Sequence, residues 1–211
     1  MKKLMLLLLT CFTMLSCGDD DSNSNSGPKP ASISIGNNGE PLIYNLTYDS
    51  KNRIQTVNNG TINATLSYTA KNQVDRITTG TSFAQFSYND EGRLLSIVTD
   101  EGQDLNVSAT GDNIYDFAGT TAILNDNGDY ISLGTLNFTY SSAKGAFANV
   151  KHVDVIALQF VIQSSYFFAG KKRLEMLSSG GTTYPIVSTA GEKGLPATYL
   201  IDGSLVTFTY N

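Results

Sequence analysis

The side chains that could take part in acid–base or metal chemistry are few. The chain has one histidine, His152, and Asp154 follows two positions later. A nucleophile–base pair or a zinc site needs a histidine close to a serine, a cysteine or several further ligands. Positions two apart fall on different faces of a helix, so this pair does not indicate such a site. We interpret His152 as a surface or hydrogen-bonded side chain.

Paired carboxylates could serve a glycoside hydrolase, which uses two of them. The candidate pairs are Asp90–Glu91, Asp100–Glu101, and Asp126 with Asp129. All of them stand in segments of turn composition, where Asp and Glu are ordinary residues. The sequence also contains no Gly-x-Ser-x-Gly, no phosphate-binding glycine loop and no dinucleotide fingerprint. We therefore predict no catalytic residue, and a glycan-processing enzyme is the weakest alternative.

A calcium loop is the other chemistry to consider. The run 125–129, Asn-Asp-Asn-Gly-Asp, places carboxylates and amides around a glycine, as calcium loops do. The EF-hand spacing fails because the bidentate Glu at the twelfth position is absent. Asn127-Gly128 between apolar segments is typical of a hairpin turn. We predict a turn here, no metal ion and no cofactor.

Cys17 is the residue with the clearest chemical prediction. Lys2 and Lys3 precede an apolar stretch that is too short to span a bilayer as a stable helix. That stretch ends at Met14-Leu15-Ser16-Cys17-Gly18, which resembles a lipobox. We predict a lipoprotein signal peptide over residues 1–16, lipidation of Cys17, and a polar tether over 17–31. The alternative is an ordinary secretory peptide with a chance cysteine.

A twenty-residue repeat organises the rest of the chain. Leu46–Ile54 recurs as Leu66–Val74 and as Phe86–Leu94. Before each repeat tyrosine, apolar and hydroxyl residues alternate with period two, as in a half-buried antiparallel strand. Four residues after each tyrosine comes an Asn or a Gly, which tolerates the positive φ of a short hairpin loop. Each copy therefore predicts a β-hairpin.

The return strand of each hairpin has an unusual spacing. Apolar residues stand six and nine positions after each tyrosine, such as Ile54 and Val57 after Tyr48. These offsets cannot share one face of a regular strand, so we predict either a β-bulge or a return strand that is apolar on both faces.

Two further outgoing halves end at Tyr140 and at Tyr210. The return half looks degraded after Tyr140 and absent after Tyr210. Alternation assigns the repeat tyrosines to the buried face. They are Tyr48, Tyr68, Tyr88, Tyr140 and Tyr210.

The pattern Tyr-x-x-(Lys/Glu)-(Asn/Gly)-Arg-(Ile/Leu) resembles the YD repeat of Rhs-type proteins. It more closely resembles a family of uncharacterised Bacteroidota surface lipoproteins with degenerate YD-like hairpins. Only Asp49 keeps the aspartate of the repeat, and only Gly92 keeps its glycine. Five partial units are too few for the cargo-enclosing shell of Rhs proteins. The resemblance implies a fold and a compartment, and it transfers no catalytic residue.

Residues 150–169 break the strand pattern. Their apolar residues recur at helical spacing, whereas their content of Val and Ile favours a strand. We predict a helix that ends near Gly170 and covers the sheet. The predicted domain, residues 32–211, is all-β: an antiparallel twisted meander, curved or half-barrel-like, with one helical segment packed on it.

Charge and composition favour a binding role. The formal net charge is −5, and it becomes more negative when Lys2 and Lys3 leave with the signal peptide. An acidic body argues against nucleic acid as a partner. We predict a non-enzymatic binding or protein-interaction module of the cell envelope, attached to the membrane through Cys17, whose partner is an unknown envelope protein, lipid or glycan.

The acidic run after Cys17 resembles the export signal for the outer face of the outer membrane, with the periplasmic face as the alternative. The alternative function is lipid or glycan binding in a pocket under 150–169, lined by Phe160, Phe167 and Phe168. An exposed aromatic row would favour such a ligand, and a buried tyrosine row with a bare sheet edge would favour a protein partner.

Overall fold

The computed structural model describes residues 27–36, 39–102, 104–117 and 119–211. The predicted signal peptide, the lipidation site Cys17 and most of the predicted tether lie outside these residues. The strands in chain order are β1 (Pro30–Gly36), β2 (Leu42–Tyr48), β3 (Ile54–Asn58), β4 (Asn63–Tyr68), β5 (Val74–Thr79), β6 (Ser82–Tyr88), β7 (Leu94–Thr99), β8 (Asp104–Gly111), β9 (Ile114–Phe117), β10 (Thr120–Leu124), β11 (Tyr130–Leu133), β12 (Leu136–Lys144), β13 (Lys172–Ser179), β14 (Thr182–Pro185), β15 (Val187–Ala190), β16 (Pro196–Ile201) and β17 (Ser204–Tyr210). The helical segments are α1 (Val155–Gln159) and the 3₁₀ turns Gln163–Phe167 and Glu192–Gly194.

The strands form two open antiparallel sheets. Sheet A runs β15–β16–β17–β1–β2 and then in chain order to the first half of β8. Sheet B runs from the second half of β8 in chain order to β14. Only Ile186 separates β14 of sheet B from β15 of sheet A. The predicted all-β antiparallel meander is confirmed. No helix within the described ranges has the length and apolar character needed to cross a membrane.

The repeat hairpins share one five-residue turn. In the first, the Asp49 amide donates to the Arg53 carbonyl at 3.0 Å, and the Asn52 amide donates to the Asp49 carbonyl at 2.9 Å. Asn52 adopts a φ of 64°, which Asn tolerates better than most residues do. The same two hydrogen bonds recur in the turns 69–73 and 89–93.

The same turn also occurs where the sequence does not match the repeat motif. In 125–129 the Asn125 amide donates to the Asp129 carbonyl at 2.8 Å, and Gly128 takes the position of Asn52 with a φ of 79°. The predicted hairpin turn at Asn127-Gly128 is thereby confirmed. The turn 191–195 closes in the same way, with a 2.7 Å bond from the Gly191 amide to the Leu195 carbonyl.

A bulge accounts for the spacing of the return strands. Thr47 pairs with Thr56, but its neighbour Tyr48 pairs with Ile54, which leaves Gln55 as the extra residue. The bulge turns both Ile54 and Val57 into the core, where both are buried. The same shift occurs beside Tyr68 and Tyr88. Of the two alternatives, the bulge is the correct one.

The return half that looked degraded after Tyr140 is β13. Tyr140 pairs with Leu174 across a bulge, and Phe138 pairs with Leu177, as Tyr48 and Leu46 pair with Ile54 and Val57. Leu174 follows Tyr140 by 34 positions instead of six because residues 145–171 are inserted where the turn should be. The basic run 171–173 therefore leads into this return strand.

The return half that is absent after Tyr210 is β1, at the other end of the described chain. Pro30 pairs with Tyr210 across a bulge, and Ile33 pairs with Phe208. The Asn211 amide donates to the Lys29 carbonyl at 3.1 Å. One repeat hairpin is thus assembled from two distant pieces of chain.

The insertion, residues 145–171, lies between the two sheets. Its Phe160 contacts Phe86 and its Phe168 contacts Phe208, both in sheet A. Its Tyr166 contacts Phe138 in sheet B. The predicted helix over 150–169 is reduced to α1 and one 3₁₀ turn, because the chain becomes extended at the β-branched Ile162 between them.

Candidate functional site

The repeat tyrosines bond neighbouring strands. The hydroxyl of Tyr68 donates to the carbonyl of Ile54 at 2.7 Å, and that of Tyr88 donates to Val74 at 2.8 Å. Tyr48 donates to Pro30, and Tyr210 donates to Pro196. Each acceptor is the residue just before the bulge in the preceding return strand, so each ring bridges two successive hairpins.

The rings are half-buried, pack against the core, and have little surface left for a ligand. Burial raises the pKa of Tyr68, Tyr88 and Tyr210 above the ordinary value. Tyr140 occupies the corresponding place in sheet B, where Gly170 lies against its ring. The tyrosine row therefore gives no exposed stacking platform for a sugar.

Polar side chains also connect the turns to one another. Lys29 donates to the Asn52 side chain at 2.9 Å, and Arg53 donates to the Asn72 side chain at 2.9 Å. Gln73 continues the series with a 2.7 Å bond to the Gly92 carbonyl. Donors and acceptors in these pairs stand 19 to 23 positions apart. The repeat period is the sequence signal for this ladder, which sequence reasoning did not predict.

The three phenylalanines predicted to line one pocket are placed separately. Phe168 is 2% exposed and packs between Phe147 and Phe208. Phe160 is 40% exposed and borders a shallow pocket beside Asp100 and Glu101. Phe167 lines a different pocket, with Ile35 and Ile201. Phe160 and Phe167 therefore line different pockets, and Phe168 lines neither of these two.

The two members of the candidate pair Asp126 and Asp129 have different surroundings. Asp129 is buried, and its side chain accepts the Lys171 amide at 2.7 Å and the Lys172 amide at 3.2 Å. It therefore holds the end of the insertion against the turn 125–129. Asp126 is exposed in that turn. Among the described residues, no three His, Cys, Asp or Glu side chains form a group that could hold a metal ion.

Asp154 lies at the N-terminus of α1, beside a cleft. One carboxylate oxygen, Oδ1, accepts the amides of Ile156 at 3.0 Å and Ala157 at 2.9 Å and so caps α1. Burial raises the pKa of Asp154, and the hydrogen bonds from these amides and from Tyr88 offset only part of that effect.

The cleft has a volume of about 230 Å³ and lies where the insertion meets the turn ends of both sheets. Its walls include Tyr88 of sheet A, Tyr115 of sheet B and the segment 152–156, and Lys71 and Gln73 also line it. Burial, and then the nearby Asp154 carboxylate, raise the pKa of both Tyr88 and Tyr115. The sequence analysis considered His152 and Asp154 only as a pair, and it did not predict that Tyr88 and Tyr115 would line a cleft with Asp154.

The second candidate surface is the edge of sheet A. Within the described chain, β15 pairs on one side only, with β16. Val187 of β15, Leu200 of β16 and Leu205 of β17 stand directly opposite one another. They are 58%, 43% and 45% exposed, so they form an apolar row that begins at the open edge. We call β15 and these three side chains the β15 edge.

No protein-family model and no curated protein matches the chain. Among solved structures, a porin-like protein from Bacteroides uniformis aligns with a TM-score of 0.44 and 11% identity, over 86% of this chain and 98% of that one. A porin-like protein from Bacteroides vulgatus aligns with a TM-score of 0.40 and 9% identity, over 88% of this chain and 99% of that one. At these values neither similarity assigns a function to the chain.

Proposed function

We propose that this protein is a non-enzymatic lipoprotein of the Bacteroidota outer membrane, of the YD-like hairpin type, that binds another envelope protein. Cys17 carries the lipid anchor, and the β15 edge accepts an extended segment of the partner. The observation that carries the proposal is a strand edge of the described chain that is unpaired on one side and lies beside an exposed apolar row. The repeat tyrosines, by contrast, are hydrogen-bonded within the sheet or packed against the core.

The backbone of β15 is suited to accept a strand. The Ile186 amide donates to the Glu175 carbonyl on the side away from β16. Backbone groups alternate sides along a strand, so those of Ser188 and Ala190 also point away from β16. Beyond Ile186 the described chain supplies no strand on that side. These groups are available to an added strand.

The side chains at this edge favour an apolar, uncharged partner segment. Residues 182–190 contain no charged residue. A strand added beside β15 would place a side chain opposite Val187 and extend the row through Leu200 and Leu205. Burial of such a row stabilises association by about 25 cal/mol per Å² of apolar surface, before the costs of ordering.

The position of the edge suits a protein partner rather than the membrane. The tether enters β1 at Pro30, beside Tyr210 at the end of β17. Leu205 lies near the other end of β17 and pairs with Gly36 at the end of β1. The apolar row is therefore at the opposite end of these strands from the membrane tether.

Site-specific photo-crosslinking in the cells that produce the protein tests the interaction. A photoreactive phenylalanine at Val187 should give an adduct with a second envelope protein. The same group at Thr65, an exposed position on the same face of sheet A, should give none. Equal adducts at both positions would contradict the proposal, and an adduct between two copies of this chain would replace the partner with a second protomer.

Proline at the edge tests the strand-addition mechanism. Ser188→Pro removes an amide that points away from β16, so it should abolish the Val187 adduct and leave the β15–β16 ladder in place. Ser188→Ala is the matched control and should keep the adduct. An adduct that survives Ser188→Pro, at an unchanged melting temperature, would exclude strand addition.

The anchor has a separate test. Cys17→Ala should move the protein from the membrane fraction to the soluble fraction, because the acyl chains supply the attachment. Protease shaving of intact cells should remove the wild-type protein if it faces outward. Membrane retention of Cys17→Ala would disprove Cys17 as the sole anchor.

A further inference from the structure

Lysines lie together at the end of sheet A that carries the repeat turns. Lys51 and Lys71 stand in the first two of these turns. Lys151 of the insertion lies beside the first turn, because its amide donates to the Asn52 carbonyl at 3.0 Å. Lys29 joins them through its 2.9 Å bond to the Asn52 side chain. We call Lys29, Lys51, Lys71 and Lys151 the tether-end patch.

The opposite end of sheet A carries only negative charge. Connections in an antiparallel meander alternate between the two ends of its strands. The connections at the far end are 37–41, 59–62, 80–81, 100–103 and 202–203. They contain Glu40, Asp100, Glu101 and Asp202, and no Lys or Arg. The net charge of −5 therefore conceals a separation of charge along the strands.

The lysines of the patch keep their charge and are accessible. Lys51, Lys71 and Lys151 are all exposed. The Lys51 ammonium donates to the side-chain oxygen of Asn72 at 3.1 Å, and the Lys71 ammonium donates to the backbone carbonyl of Asp90 at 2.8 Å. Both acceptors are uncharged, so these bonds position the ammonium groups without neutralising them.

The carboxylates near the patch do not cancel it. In the first two repeat turns the sole carboxylate, Asp49, is in an ion pair with Arg53 at 2.6 Å. Asp154 lines the same cleft as Lys71, but it caps α1. The exposed pair Asp90–Glu91 belongs to the third turn and marks the boundary of the patch. Between the tether and that turn, positive charge is in excess.

The tether enters the domain within this patch. The side chain of Asn149 donates to the Pro28 carbonyl at 2.9 Å, which holds the tether against the insertion. Cys17, the predicted anchor, precedes Lys29 by twelve residues. A flexible coil of that length spans about 20 Å. A bilayer that holds the anchor is therefore within reach of the patch, and the acidic end of sheet A lies farther away.

From this charge separation we infer that the tether-end patch docks on the anionic phosphate headgroups of the lipid leaflet that holds the anchor. Each lysine near an anionic surface strengthens binding about fivefold. The tether keeps the surface at a high effective concentration, so weak attractions are sufficient. The inference rests on the proposed anchor at Cys17 and adds an orientation to it, in which the apolar row of the β15 edge points away from the bilayer.

Fluorescence quenching measures this orientation. The lipidated full chain is inserted into phosphatidylcholine vesicles with and without phosphatidylglycerol, each carrying a headgroup quencher. A fluorophore attached through Ser50→Cys, in the first repeat turn, should be quenched more strongly in the anionic vesicles. The same fluorophore at Thr61→Cys, at the other end of the strands, should be quenched weakly in both. Equal quenching at Ser50→Cys in the two kinds of vesicle would overturn the inference.

Salt and charge variants test whether the lysines cause the docking. About 1 M salt shortens the screening length to about 3 Å and should remove the difference between the vesicles. Lys51→Gln and Lys151→Gln should each lower the docking constant about fivefold in anionic vesicles. Arg76→Gln removes one cation outside the patch and should have no effect. An equal effect of all three variants would show that net charge, and not the patch, is responsible.

Cys17→Ala separates the patch from the anchor. This variant should bind phosphatidylglycerol vesicles at low ionic strength, dissociate at physiological salt, and leave phosphatidylcholine vesicles unbound throughout. No binding at low ionic strength would refute the patch. Failure of the wild type to insert into neutral vesicles would instead refute the anchor.

The acidic run Asp19–Asp21 of the tether is the other candidate occupant of the patch. If this run covered the patch, Lys51→Gln would change the quenching equally in neutral and in anionic vesicles. That result would overturn docking on lipid, whereas an effect confined to anionic vesicles supports it.

Discussion

The first three hairpins and the hairpin β12–β13 have the same strand pairing and very different turns. Tyr48 pairs with Ile54 across a five-residue turn, and Tyr140 pairs with Leu174 across residues 145–171. Both pairs sit beside a bulge, and both return strands bury two apolar residues three positions apart. The bulged ladder therefore does not depend on what the turn contains.

In both hairpin types an amide-to-carbonyl hydrogen bond closes the base of the connection between the two strands. The Asp49 amide bonds the Arg53 carbonyl at 3.0 Å, and the Gly145 amide bonds the Lys171 carbonyl at 2.8 Å. In the short hairpins the chain then turns through solvent. In β12–β13 it enters the interior, fills the space between the sheets and brings Asp154 to the cleft. The ladder is common to both hairpin types, whereas the inserted segment supplies Asp154 and part of the cleft wall.

The largest expected effect is at the base of the insertion. A methyl group at Gly145 would overlap the carbonyl oxygens of Gly170 and Lys172, which are backbone atoms and cannot move independently. Gly145→Ala should lower the free energy of unfolding by about 3 kcal/mol or more, as measured by urea denaturation. Gly36→Ala is the control, because its methyl would meet Pro41 at an ordinary 3.5 Å. Equal stabilities of the two variants would show that the insertion is not tightly closed.

A smaller effect is expected in the regular ladder. Tyr68→Phe leaves the Ile54 carbonyl without its phenolic donor. The cost should be about 1 to 3 kcal/mol, the usual range for an unsatisfied buried group. Tyr88→Phe should cost a similar amount, because its bond is equivalent. Ser50→Ala, at an exposed turn position, should change stability by no more than about 0.5 kcal/mol. A neutral Tyr68→Phe would mean that the hydroxyl bonds do not hold the hairpins together.

The smallest expected effect is a difference in the pH dependence of stability between Asp49 and Asp154, whose pKa values shift in opposite directions. Burial raises the pKa of Asp49, but hydrogen bonds from the Arg53 backbone and side chain outweigh it and hold the pKa below the ordinary 3.8. The contribution of Asp49 to stability is present above pH 3.8, and it is lost as the pH falls through the pKa of Asp49 in the folded state. For Asp154, burial raises the pKa, so its contribution is present below 3.8 and is lost as the pH rises through the folded-state value.

Melting temperatures measured across the acidic range check these signs. Asp49→Asn should be less stable than wild type at neutral pH and should approach it in acid. The melting temperature of Asp154→Asn relative to that of the wild type should be highest at neutral pH and lowest in acid. If both variants show the same pH trend, the contrast between the two carboxylates is refuted.

Much of the fold was predictable because the repeat is local. The alternation before Tyr48, the Asn or Gly four residues later and the offsets of six and nine all act within one hairpin. Those features predicted the strands, the turns and the bulge. The return halves at β13 and β1 were missed because their partners are 34 residues away or at the opposite end of the chain. No local rule connects such segments.

The candidate sites were less predictable for the same reason. The separation of Phe160, Phe167 and Phe168 depends on how the insertion packs between two sheets. The cleft that Asp154, Tyr88 and Tyr115 line brings together residues from three parts of the chain. The open edge at β15 follows from the change of partner at Ile186, where β14 belongs to one sheet and β15 to the other.

The amino-acid sequence by itself determined the hairpin, since side-chain alternation, turn residues and bulge spacing act over distances of a few residues. Only the tertiary structure decided which strands complete the interrupted hairpins, what fills the space between the sheets and which polar groups meet there. Those outcomes depend on packing between distant segments, whose free energy is gained only when the whole chain has assembled.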